Sequence, residues 1–531
     1  MKWQVLNKSK DVVKALLENR GIKTKKDVEE FFNPKDPSKI NLKDLGIKDT
    51  LIKKTIKRIK QAKDKKEEVI IYGDYDADGI CATAILWESL HEFGLNVLPH
   101  IPDRFEEGYG INSKSVEDLK VKIKNLKLII TVDNGIVGYE GIKKAKKLGV
   151  DVIVLDHHTK GSKDPSTPYI LHTTIVCGSG LACFFSKELG INKGLDLAAI
   201  GTIADQMPLI GINRSIVKYG LAALKNTKRI GLKTLFSDSG IENIGTYEVN
   251  YIIAPRINAM GRLAHGLDSL RLLCTTKNDR AQELSKLLTK TNSDRQNIVE
   301  TVVNHTREKV TQDKIIVIAH ESYHEGVIGL AAGKLVEEFY RPAIVIAIGK
   351  EKSKASARSI SGFNIIEAIK ATGLIMEGGG HPMAAGFSIE TSKIEDFILS
   401  INKYAEKLLT DEVLERKLKV DMELGFDELN YDLLEKLNQF DPIGLGNPGP
   451  TFVAKDVEVK DVKTVGKEAK HLKITLKQDE HFFDSIYFGG GEKYPDLKSG
   501  AKIDIVYQLE DNTWNGSQNL QLKIKDLTLC L

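Results

Sequence analysis

The sequence predicts an α/β protein in which two α/β domains are joined by a long helix and followed by a small β-barrel. Short β-branched runs alternate with helical stretches from about residue 68 to 210 and again from about 314 to 410, a pattern that indicates strands covered by helices. The stretch 279–313 between them is polar, has a sparse apolar stripe and contains no proline, as expected of a bridging helix. After a Gly/Pro-rich stretch at 440–452, short alternating segments such as HLKITLKQ favour a β-barrel.

The chain of 531 residues is too long for one hydrophobic core, so several domains are expected. The predicted segments are a lysine-rich helical N-terminal segment (1–66), a first α/β domain (67–278), the connecting helix (279–313), a second α/β domain (314–412) and the barrel domain (413–531). The connecting helix is expected to be one long helix, either continuous or with a break near Asn292.

The charge is concentrated at the N-terminal end. The formal net charge is only +4, but residues 1–66 hold 20 lysine and arginine residues against 9 aspartate and glutamate residues. Such a segment is either a phosphate-facing surface or the solvated face of a set of helices, and the sequence leaves both readings open.

Composition favours a cytoplasmic protein without membrane contact. The chain is 41% hydrophobic and 28% charged, as in globular proteins. No run reaches the roughly 18 apolar residues of a membrane span, and the N-terminus has no signal-peptide pattern. The five cysteines are scattered and form no Cys-x-x-Cys pair, so we expect reduced thiols and neither a disulfide framework nor a zinc site.

Acidic side chains follow three strands of the first α/β domain at the points where those strands end. The residues concerned are Asp74, Asp76 and Asp78 in IIYGDYDADG, Asp133 in LIITVDNG, and Asp156, His157 and His158 in VIVLDHH. Asp205, in AAIGTIADQMPL, lies near the end of an apolar helical run. Ligands of open α/β sheets collect at the carboxyl ends of the strands, so we expect these side chains to converge on one crevice.

Each acidic pattern has an ordinary explanation when taken alone, such as a turn, a helix cap or a Ca²⁺ loop. The Ca²⁺ loop is disfavoured because the glutamate that an EF-hand needs at position 12, counted from Asp74, is Ile85. Converging carboxylates repel one another and need a cation to be stable together. Oxygen donors with one or two imidazoles suit Mn²⁺ or Mg²⁺, and the ligands suffice for two ions, which activate water for attack on phosphorus.

The same motifs resemble a known family over the whole chain. DYDADG, VDNG, LDHH and GTIADQMPL resemble the four successive motifs of the DHH phosphoesterases, and SARS with GGGHPMAAG resembles their associated C-terminal domain. Within that superfamily, APRINAMGRL and PIGLGNPGPTF are similar to stretches of the RecJ family of single-strand-specific 5′ to 3′ exonucleases. The resemblance implies a DHH domain, a DHH-associated domain and an OB-like barrel.

The resemblance also implies a set of metal ligands. They are Asp76, Asp78, Asp133, His157 and Asp205. Asp133 is the expected bridge between two ions. Asp74 is a weaker candidate, because other branches of the superfamily have a histidine ligand where this chain has Tyr72.

Three further positions near these ligands carry expectations from the family. His158 would face the scissile phosphate, where it would stabilise charge or assist the leaving group, and Asp156 would orient the loop that carries it. Asn134 stands where the family often has cysteine, and neither residue type is needed there as a ligand.

Contacts to the DNA strand are expected in the second half of the chain. Ser356, Arg358 and Ser359 lie just before a predicted helix, where hydroxyls, a guanidinium and backbone N–H groups would form a phosphate cradle. Gly379, Gly380 and His381 are expected in the substrate site because glycines permit close backbone approach. Arg256, Asn258 and Arg262 either contact DNA or hold the domains together. Phe482, Phe483, Tyr487 and Phe488 either stack on bases or lie half in the barrel core.

The leading functional prediction is a Mn²⁺- or Mg²⁺-dependent exonuclease that uses two ions to degrade single-stranded DNA from its 5′ end to 5′ mononucleotides, in DNA repair and recombination. A 5′-phosphate pocket containing Arg358 would set the direction, and a helicase and a single-strand-binding protein are candidate partners. One alternative is a phosphodiesterase of oligoribonucleotides or cyclic dinucleotides, although such relatives are generally shorter. Another is a non-catalytic DNA-binding scaffold, which predicts decayed ligands.

Overall fold

The computed structural model describes residues 1–514 and 517–530, and its N-terminal segment is divided between two hydrophobic cores. The segment contains β1 (Lys2–Val5), α1 (Val12–Asn19), α2 (Lys25–Phe32), a 3-10 turn (Pro37–Lys39) and α3 (Asp49–Asp64). The lysine-rich α3 packs Ile52 and Ile59 against the first α/β domain. Helices α1 and α2 instead pack Leu16 and Phe31 against the C-terminal barrel. The segment therefore ties the two ends of the chain together.

The first α/β domain is built on a five-stranded parallel sheet. Its strands are β2 (Glu68–Tyr72), β3 (Asn96–His100), β4 (Leu126–Val132), β5 (Asp151–Asp156) and β6 (Tyr169–His172), in the order β3-β2-β4-β5-β6. Central strands such as IIY and LIITV are buried on both faces, which explains why they are continuously apolar. The predicted parallel sheet is confirmed.

Helices cover this sheet and extend beyond it. They are α4 (Ala77–Glu92), α5 (Ser113–Lys122), α6 (Tyr139–Lys147), α7 (Gly178–Glu188), α8 (Leu195–Ala204), α9 (Gly211–Lys225), α10 (Ile230–Asp238), α11 (Thr246–Glu248), a π-helix (Val249–Ile253), α12 (Ala254–Leu263) and α13 (Leu267–Cys274). Helix α11, the π-helix and α12 follow one another without a break. We call this stretch, 246–263, the cleft helix.

The connecting helix, α14 (Asn278–Arg307), is a single α-helix of 30 residues. The alternative, a break near Asn292, does not occur, because the buried side of the helix continues through that position. Leu284 and Leu288 pack in the core of the first domain, whereas Val299 and Val303 pack in the second. The helix therefore bridges the domains as predicted.

The second α/β domain has a mixed five-stranded sheet. Its elements are β7 (Ile316–His320), α15 (Ile328–Phe339), β8 (Ala343–Ala347), β9 (Lys352–Arg358), α16 (Ile365–Ala371), β10 (Ile375–His381), β11 (Ala384–Glu390), a 3-10 turn (Thr391–Lys393) and α17 (Ile394–Ala405). The strand order is β10-β11-β9-β8-β7, and only β7 and β8 are parallel. Arg358 ends strand β9 and is not at a helix start as predicted, because a turn at 359–364 separates it from α16.

The C-terminal domain is a closed barrel. Its elements are α18 (Asp411–Leu414), β12 (Lys417–Val420), β13 (Met422–Glu423), a 3-10 turn (Phe426–Glu428), α19 (Tyr431–Asn438), β14 (Phe452–Val465), a 3-10 turn (Lys467–Ala469), β15 (His471–Gln478), β16 (His481–Tyr487), α20 (Gly490–Lys493), β17 (Lys502–Trp514) and β18 (Ser517–Leu529). Strands β14-β15-β16-β18-β17 form a ring that closes through β14 and β17. Strand β1 pairs in parallel with β12 beside this barrel.

Two expectations drawn from composition can be compared with the structure. All five cysteines are free, as predicted. Among the described residues, no helix combines the length and the apolar character needed to cross a membrane.

Candidate metal centre and phosphate cleft

The carboxyl ends of β2, β4 and β5 bring the predicted acidic residues together. Asp76 begins α4, where its Oδ1 accepts a hydrogen bond from the Gly79 N–H at 2.9 Å. Gly79 lies so close to Asp74 that a Cβ added there would be 2.5 Å from the Asp74 Cβ. The DYDADG turn thus needs glycine at 79 to hold its three aspartates in one compact loop.

Asp78 is fully buried and held at the start of α7. Its two carboxylate oxygens accept hydrogen bonds from the Gly178 and Ser179 N–H groups at 2.7 and 3.0 Å. The N-terminal end of a helix stabilises negative charge, so this contact fixes the Asp78 carboxylate. Its Oδ2 lies 4.0 Å from His157 Nε2.

Asp133 occupies the centre of the site. Its backbone has φ +63°, the left-handed region that non-glycine residues rarely adopt. The conformation directs its Oδ1 to 3.0 Å from His157 Nε2. Gly178 faces the same carboxylate, and a Cβ there would come 2.6 Å from it.

The ligand atoms form overlapping groups in which every atom lies within 4.8 Å of the others. One group is Asp74, Asp76 and Asp133, a second is Asp78, His157 and Asp205, and a third is Asp133, His157 and His158. Asp133 and His157 each belong to two groups. The arrangement therefore offers two neighbouring cation sites with Asp133 between them.

The electrostatics of these groups favours bound cations. Burial, and then the charges of neighbouring aspartates, raise the pKa of Asp74 and Asp133 well above the ordinary value, and they raise that of Asp205 to about 8. Among the described residues, the buried Oδ1 atom of Asp74 has no hydrogen-bond partner, and that of Asp133 has no polar neighbour in ion-pair contact except His157 Nε2 at 3.0 Å. Carboxylate oxygens with one or two imidazoles are the donors that Mn²⁺ and Mg²⁺ bind, so the residues fit such ions.

His158 is held beside this centre by Asp156 and Tyr109. The Asp156 Oδ1 lies 2.8 Å from His158 Nδ1, and its Oδ2 accepts from the Ile136 N–H at 2.8 Å. The Tyr109 hydroxyl lies 3.3 Å from the His158 ring nitrogens and donates to the Asp133 carbonyl at 3.2 Å. Burial alone would lower the pKa of His158, but Asp156 outweighs it and raises that pKa to about 9.

Two departures from the family pattern have structural explanations. Tyr72 is fully buried, and its hydroxyl lies within 3.3 Å of Gly110 O and Ser115 Oγ, so it belongs to the packing behind the sheet. Asn134 is also buried, and its Nδ2 donates to the carbonyls of Tyr72, Gly73 and Val132. Asn134 thus ties together the ends of β2 and β4.

A cleft of about 510 Å³ lies between the two α/β domains, and arginines line it. Arg104 and Arg262 come from the first domain, and Arg358 and Ser356 from strand β9. Burial, and then the neighbouring arginines, lower the pKa of Arg262 to about 10 and also lower that of Arg358. Positively charged guanidinium groups held this close repel one another, so a bound anion between them is favourable. We call this space the arginine cleft.

Several predicted contact residues lie away from this cleft. Arg256 donates to Ile252 O and Thr289 Oγ1 and so holds the cleft helix to α14. Ser359 is buried, where its hydroxyl donates to Phe363 O. Gly379, Gly380 and His381 are exposed on the β10–β11 hairpin, and the nearest glycine that lines the cleft is Gly378. The Asn258 side chain accepts a hydrogen bond from the Ala77 N–H at 2.7 Å and so supports the DYDADG loop (74–79), which we call the metal-binding loop.

The aromatic residues of β16, and Phe488 directly after it, divide between the surface and the core of the barrel. Phe482 and Phe488 are exposed, with Lys477 and Lys523 above their rings at 5.3 and 5.8 Å. The other two candidates are packed inside: Phe483 contacts Phe426, and Tyr487 is buried. Two of the four are thus available for stacking.

Sequence reasoning missed Arg104 and Tyr109. Both lie in the loop IPDRFEEGYGIN, which follows β3 at the same edge of the sheet as the acidic loops. The rule that ligands collect at the carboxyl ends of parallel strands would have included this loop. It was overlooked because it has no carboxylate motif of the kind that marks the other three.

Three protein-family models match the chain in succession. They are described as the DHH family N-terminal domain at residues 68–202, the DHHA1 domain at 312–407 and the RecJ OB domain at 420–526. Their order agrees with that of the two α/β domains and the barrel.

Individual relatives match over nearly the full chain. The single-stranded-DNA-specific exonuclease RecJ of Bacillus subtilis is 35% identical over 561 residues, covering 99% of this chain and 70% of the relative. The RecJ exonuclease of Thermus thermophilus is 33% identical over 485 residues, and the match covers 88% of this chain and 70% of the relative. Crystal structures of Thermus thermophilus RecJ with Mn²⁺ and with Mg²⁺ superpose with TM-scores of 0.86 and 0.77, at 28% and 27% identity. Each match covers 99% of this chain, and 79% and 78% of the respective structures.

Proposed function

The chain belongs to the RecJ family of DHH phosphoesterases, and we propose that it is a metal-dependent exonuclease that degrades single-stranded DNA from the 5′ end. The observation that carries the proposal is the set of three ligand groups around Asp133 and His157, next to the arginine cleft that Tyr75 of the DYDADG loop helps to line. A cation pair beside an anion-binding cleft is the arrangement that phosphodiester hydrolysis requires.

We propose that two Mn²⁺ or Mg²⁺ ions are the cofactors. Asp74, Asp76 and Asp133 would hold one, and Asp78, His157 and Asp205, with Asp133 shared, would hold the other. Bound there, the ions would activate water and neutralise charge on the phosphate.

His158 is the residue proposed to contact the scissile phosphate directly. Its raised pKa keeps the ring protonated at neutral pH, so the ring can donate a hydrogen bond to a phosphate oxygen or a proton to the leaving 3′ oxygen. Asp156 and Tyr109 are positioning residues, because both hold the His158 imidazole in place; Tyr109 also lines the arginine cleft.

The arginine cleft accounts for the proposed direction of digestion. Arg104, Arg262 and Arg358 line the cleft together with Lys354, and so outnumber its two glutamates, Glu325 and Glu377. A terminal phosphate, with its extra negative charge, would therefore bind better than an internal one. A 5′ phosphate held there leaves the first phosphodiester at the metal centre, and the product is a 5′ mononucleotide.

The cellular role we propose is DNA repair and recombination in the cytoplasm. The five free thiols suit a reducing compartment. An enzyme restricted to single strands depends on other proteins to open or protect DNA, so a helicase and a single-strand-binding protein are the partners to test.

The two alternative functions are less well supported. A phosphodiesterase of dinucleotides would need neither α14 nor the barrel, whereas the matched relatives include both regions. A non-catalytic scaffold would not need to retain the aspartates and histidine that form the ligand groups.

The proposal is tested with single strands labelled at either end, incubated with Mn²⁺, with Mg²⁺ or with EDTA. We expect mononucleotides from the 5′ end, little cutting of duplex and no activity in EDTA. Digestion from the 3′ end, or preferential cutting of duplex, would contradict it.

The polarity is tested separately with 5′-phosphorylated and 5′-hydroxyl strands. Replacing Arg104 and Arg358 by glutamine should abolish the preference for the phosphate. Arg280→Gln is the matched control, because Arg280 lies on the exposed side of α14 and pairs with Glu283.

A further inference from the structure

The cleft helix connects the arginine cleft with a second, separate cavity. Its 18 residues span about 27 Å. Arg262 lines the arginine cleft near one end, and Asn258 contacts the metal-binding loop. Tyr247 and Tyr251 line the other cavity near the opposite end. The helix therefore passes the metal centre with a different surface on each side of it.

The second cavity lies between the first α/β domain and the barrel. Its volume is about 800 Å³, and no described residue lines both cavities. Side-chain amides line it, from Gln206, Asn250, Asn438 and Gln508. Gln206 follows the metal-ligand candidate Asp205 directly and donates to Asn250 Oδ1 at 2.8 Å. The cavity thus begins beside the metal centre and leads to the barrel; we call it the tyrosine cleft.

The two tyrosines form an exposed aromatic pair. Their ring centroids are 4.9 Å apart, the rings are inclined by 38°, and each residue is 63% exposed. Both lie on the part of the helix that contains the π-turn, a feature often found at functional sites. Two adjacent large aromatic residues left this open to solvent are suited to a flat ligand.

Among the described residues, the tyrosine cleft is lined by three carboxylates, Asp441, Glu510 and Asp511, and by one lysine, Lys525. Glu510 pairs with Lys523 at 3.1 Å, Asp511 accepts from the side chain of Gln518, and Asp441 lies beside the buried Arg214. Because carboxylates outnumber cations along this lining, it attracts a strand of phosphates less than the arginine cleft does. Aromatic faces and amides are instead the groups that stack on and hydrogen-bond to nucleobases.

We propose that Tyr247 and Tyr251 form a stacking platform for bases on the 3′ side of the cleaved bond. The inference rests on the proposed function: if the 5′ phosphate occupies the arginine cleft, the remaining strand must leave the metal centre on the other side. The tyrosine cleft is the space that begins there and ends at the barrel. The platform holds the strand in register while each terminal nucleotide is removed.

The test compares the Tyr247→Ala/Tyr251→Ala double variant with the wild type on two substrates. For a strand of about twenty nucleotides, loss of base stacking should lower kcat/KM by roughly 10-fold or more. A 5′-phosphorylated dinucleotide should be hydrolysed at close to the wild-type rate. The double variant with phenylalanine at both positions should keep most of the activity, because its rings still stack.

A direct readout is the fluorescence of 2-aminopurine placed at successive positions from the 5′ end. Binding in EDTA should quench it a few nucleotides from that end in the wild type and not in the double alanine variant. Tyr404→Ala is the matched control, since Tyr404 is an exposed tyrosine of α17 in the second domain.

The outcomes separate the possible failures. If the double alanine variant loses kcat/KM equally on the long strand and on the dinucleotide, the tyrosines have only a structural role. If both its activity and its 2-aminopurine quenching match the wild type, the tyrosines do not touch DNA. Either result overturns the inference. A wild-type protein that degrades no single strands would instead overturn the proposed function.

Discussion

Asp133 combines an unusual backbone with an unusual side-chain environment. Its φ of +63° costs energy in a non-glycine residue, and its carboxylate is buried among other aspartates. Strain of this kind persists where the surroundings fix it, here through the Leu155 carbonyl, which accepts from the Asp133 N–H, and through Tyr109. This geometry suits the role proposed for Asp133, that of a ligand shared by two ions.

We predict that Asp133→Asn lowers the rate of DNA cleavage at least about 100-fold, since losing the carboxylate proposed to bridge the two ions would remove several kcal/mol of charge stabilisation. Single-turnover hydrolysis of a labelled strand measures the effect. The matched control is Asp118→Asn, an exposed aspartate on α5. A variant as active as the control would disprove the metal mechanism.

At the scale of elements, the cleft helix packs closely on the metal-binding loop. Gly261 faces the Tyr75 carbonyl, and a Cβ at this position would lie 2.4 Å from that oxygen. The absence of a side chain is therefore what lets the helix hold the DYDADG loop and place Arg262 in the cleft.

Gly261→Ala should push the helix away from the loop and reduce activity by roughly 10-fold or more, with a destabilisation of about 1–3 kcal/mol from overpacking. Gly333→Ala is a suitable control, because Gly333 is also helical and a Cβ there would meet nothing within 4 Å. Activity and thermal unfolding of both variants provide the measurement. If the two variants have the same activity and unfolding temperature, the close contact between Gly261 and the Tyr75 carbonyl is not important for function or stability.

The sequence was most informative where local patterns decide the structure. Strands β2, β4 and β5, and the acidic loops after them, follow from apolar runs that end in carboxylates. Long-range packing was not predictable: α1 and α2 join the barrel core although the first barrel residue of that core, Met422, follows the end of α2, Phe32, by 390 residues. Arg358 was placed before a helix because a local pattern does not reveal where β9 ends. Its role in the cleft depends on the docking of two domains.

At the scale of the whole molecule, Arg214 joins three regions. This fully buried side chain of α9 donates to the carbonyls of Phe31, Gln439, Phe440, Asp441 and Pro442. Its guanidinium also lies 3.9 Å from the centroid of the Phe31 ring. The Arg214 guanidinium thus joins the first α/β domain to the N-terminal segment and to residues 439–442, which precede the barrel strand β14.

Arg214→Met should leave several buried carbonyls without a donor and destabilise the protein by about 3 kcal/mol or more, at 1–3 kcal/mol per unsatisfied group. We expect a lower unfolding temperature and faster proteolysis between the barrel and the first domain. Arg271→Met, at an exposed position of α13, should change neither. If the two variants unfold alike, Arg214 does not hold the domains together.

The metal centre should also govern how stability depends on pH. Burial and mutual repulsion raise the pKa of Asp74 and Asp133, and that of Asp205 to about 8, above the ordinary aspartate value of about 4. Without metal, the folded state therefore binds more protons than the unfolded state, and these groups destabilise it increasingly as pH rises from about 4 to 8.

Bound metal offsets the repulsion and burial cost of these aspartates only at pH values where they are ionised. The rise in unfolding temperature on adding Mn²⁺ should therefore be small near pH 4 and should grow steadily towards pH 8. Differential scanning fluorimetry with Mn²⁺ or EDTA across this range measures it, and taking the difference cancels groups outside the site. The Asp133→Asn variant should show a smaller shift at every pH. A shift that does not depend on pH would mean that the buried aspartates are not the ligands.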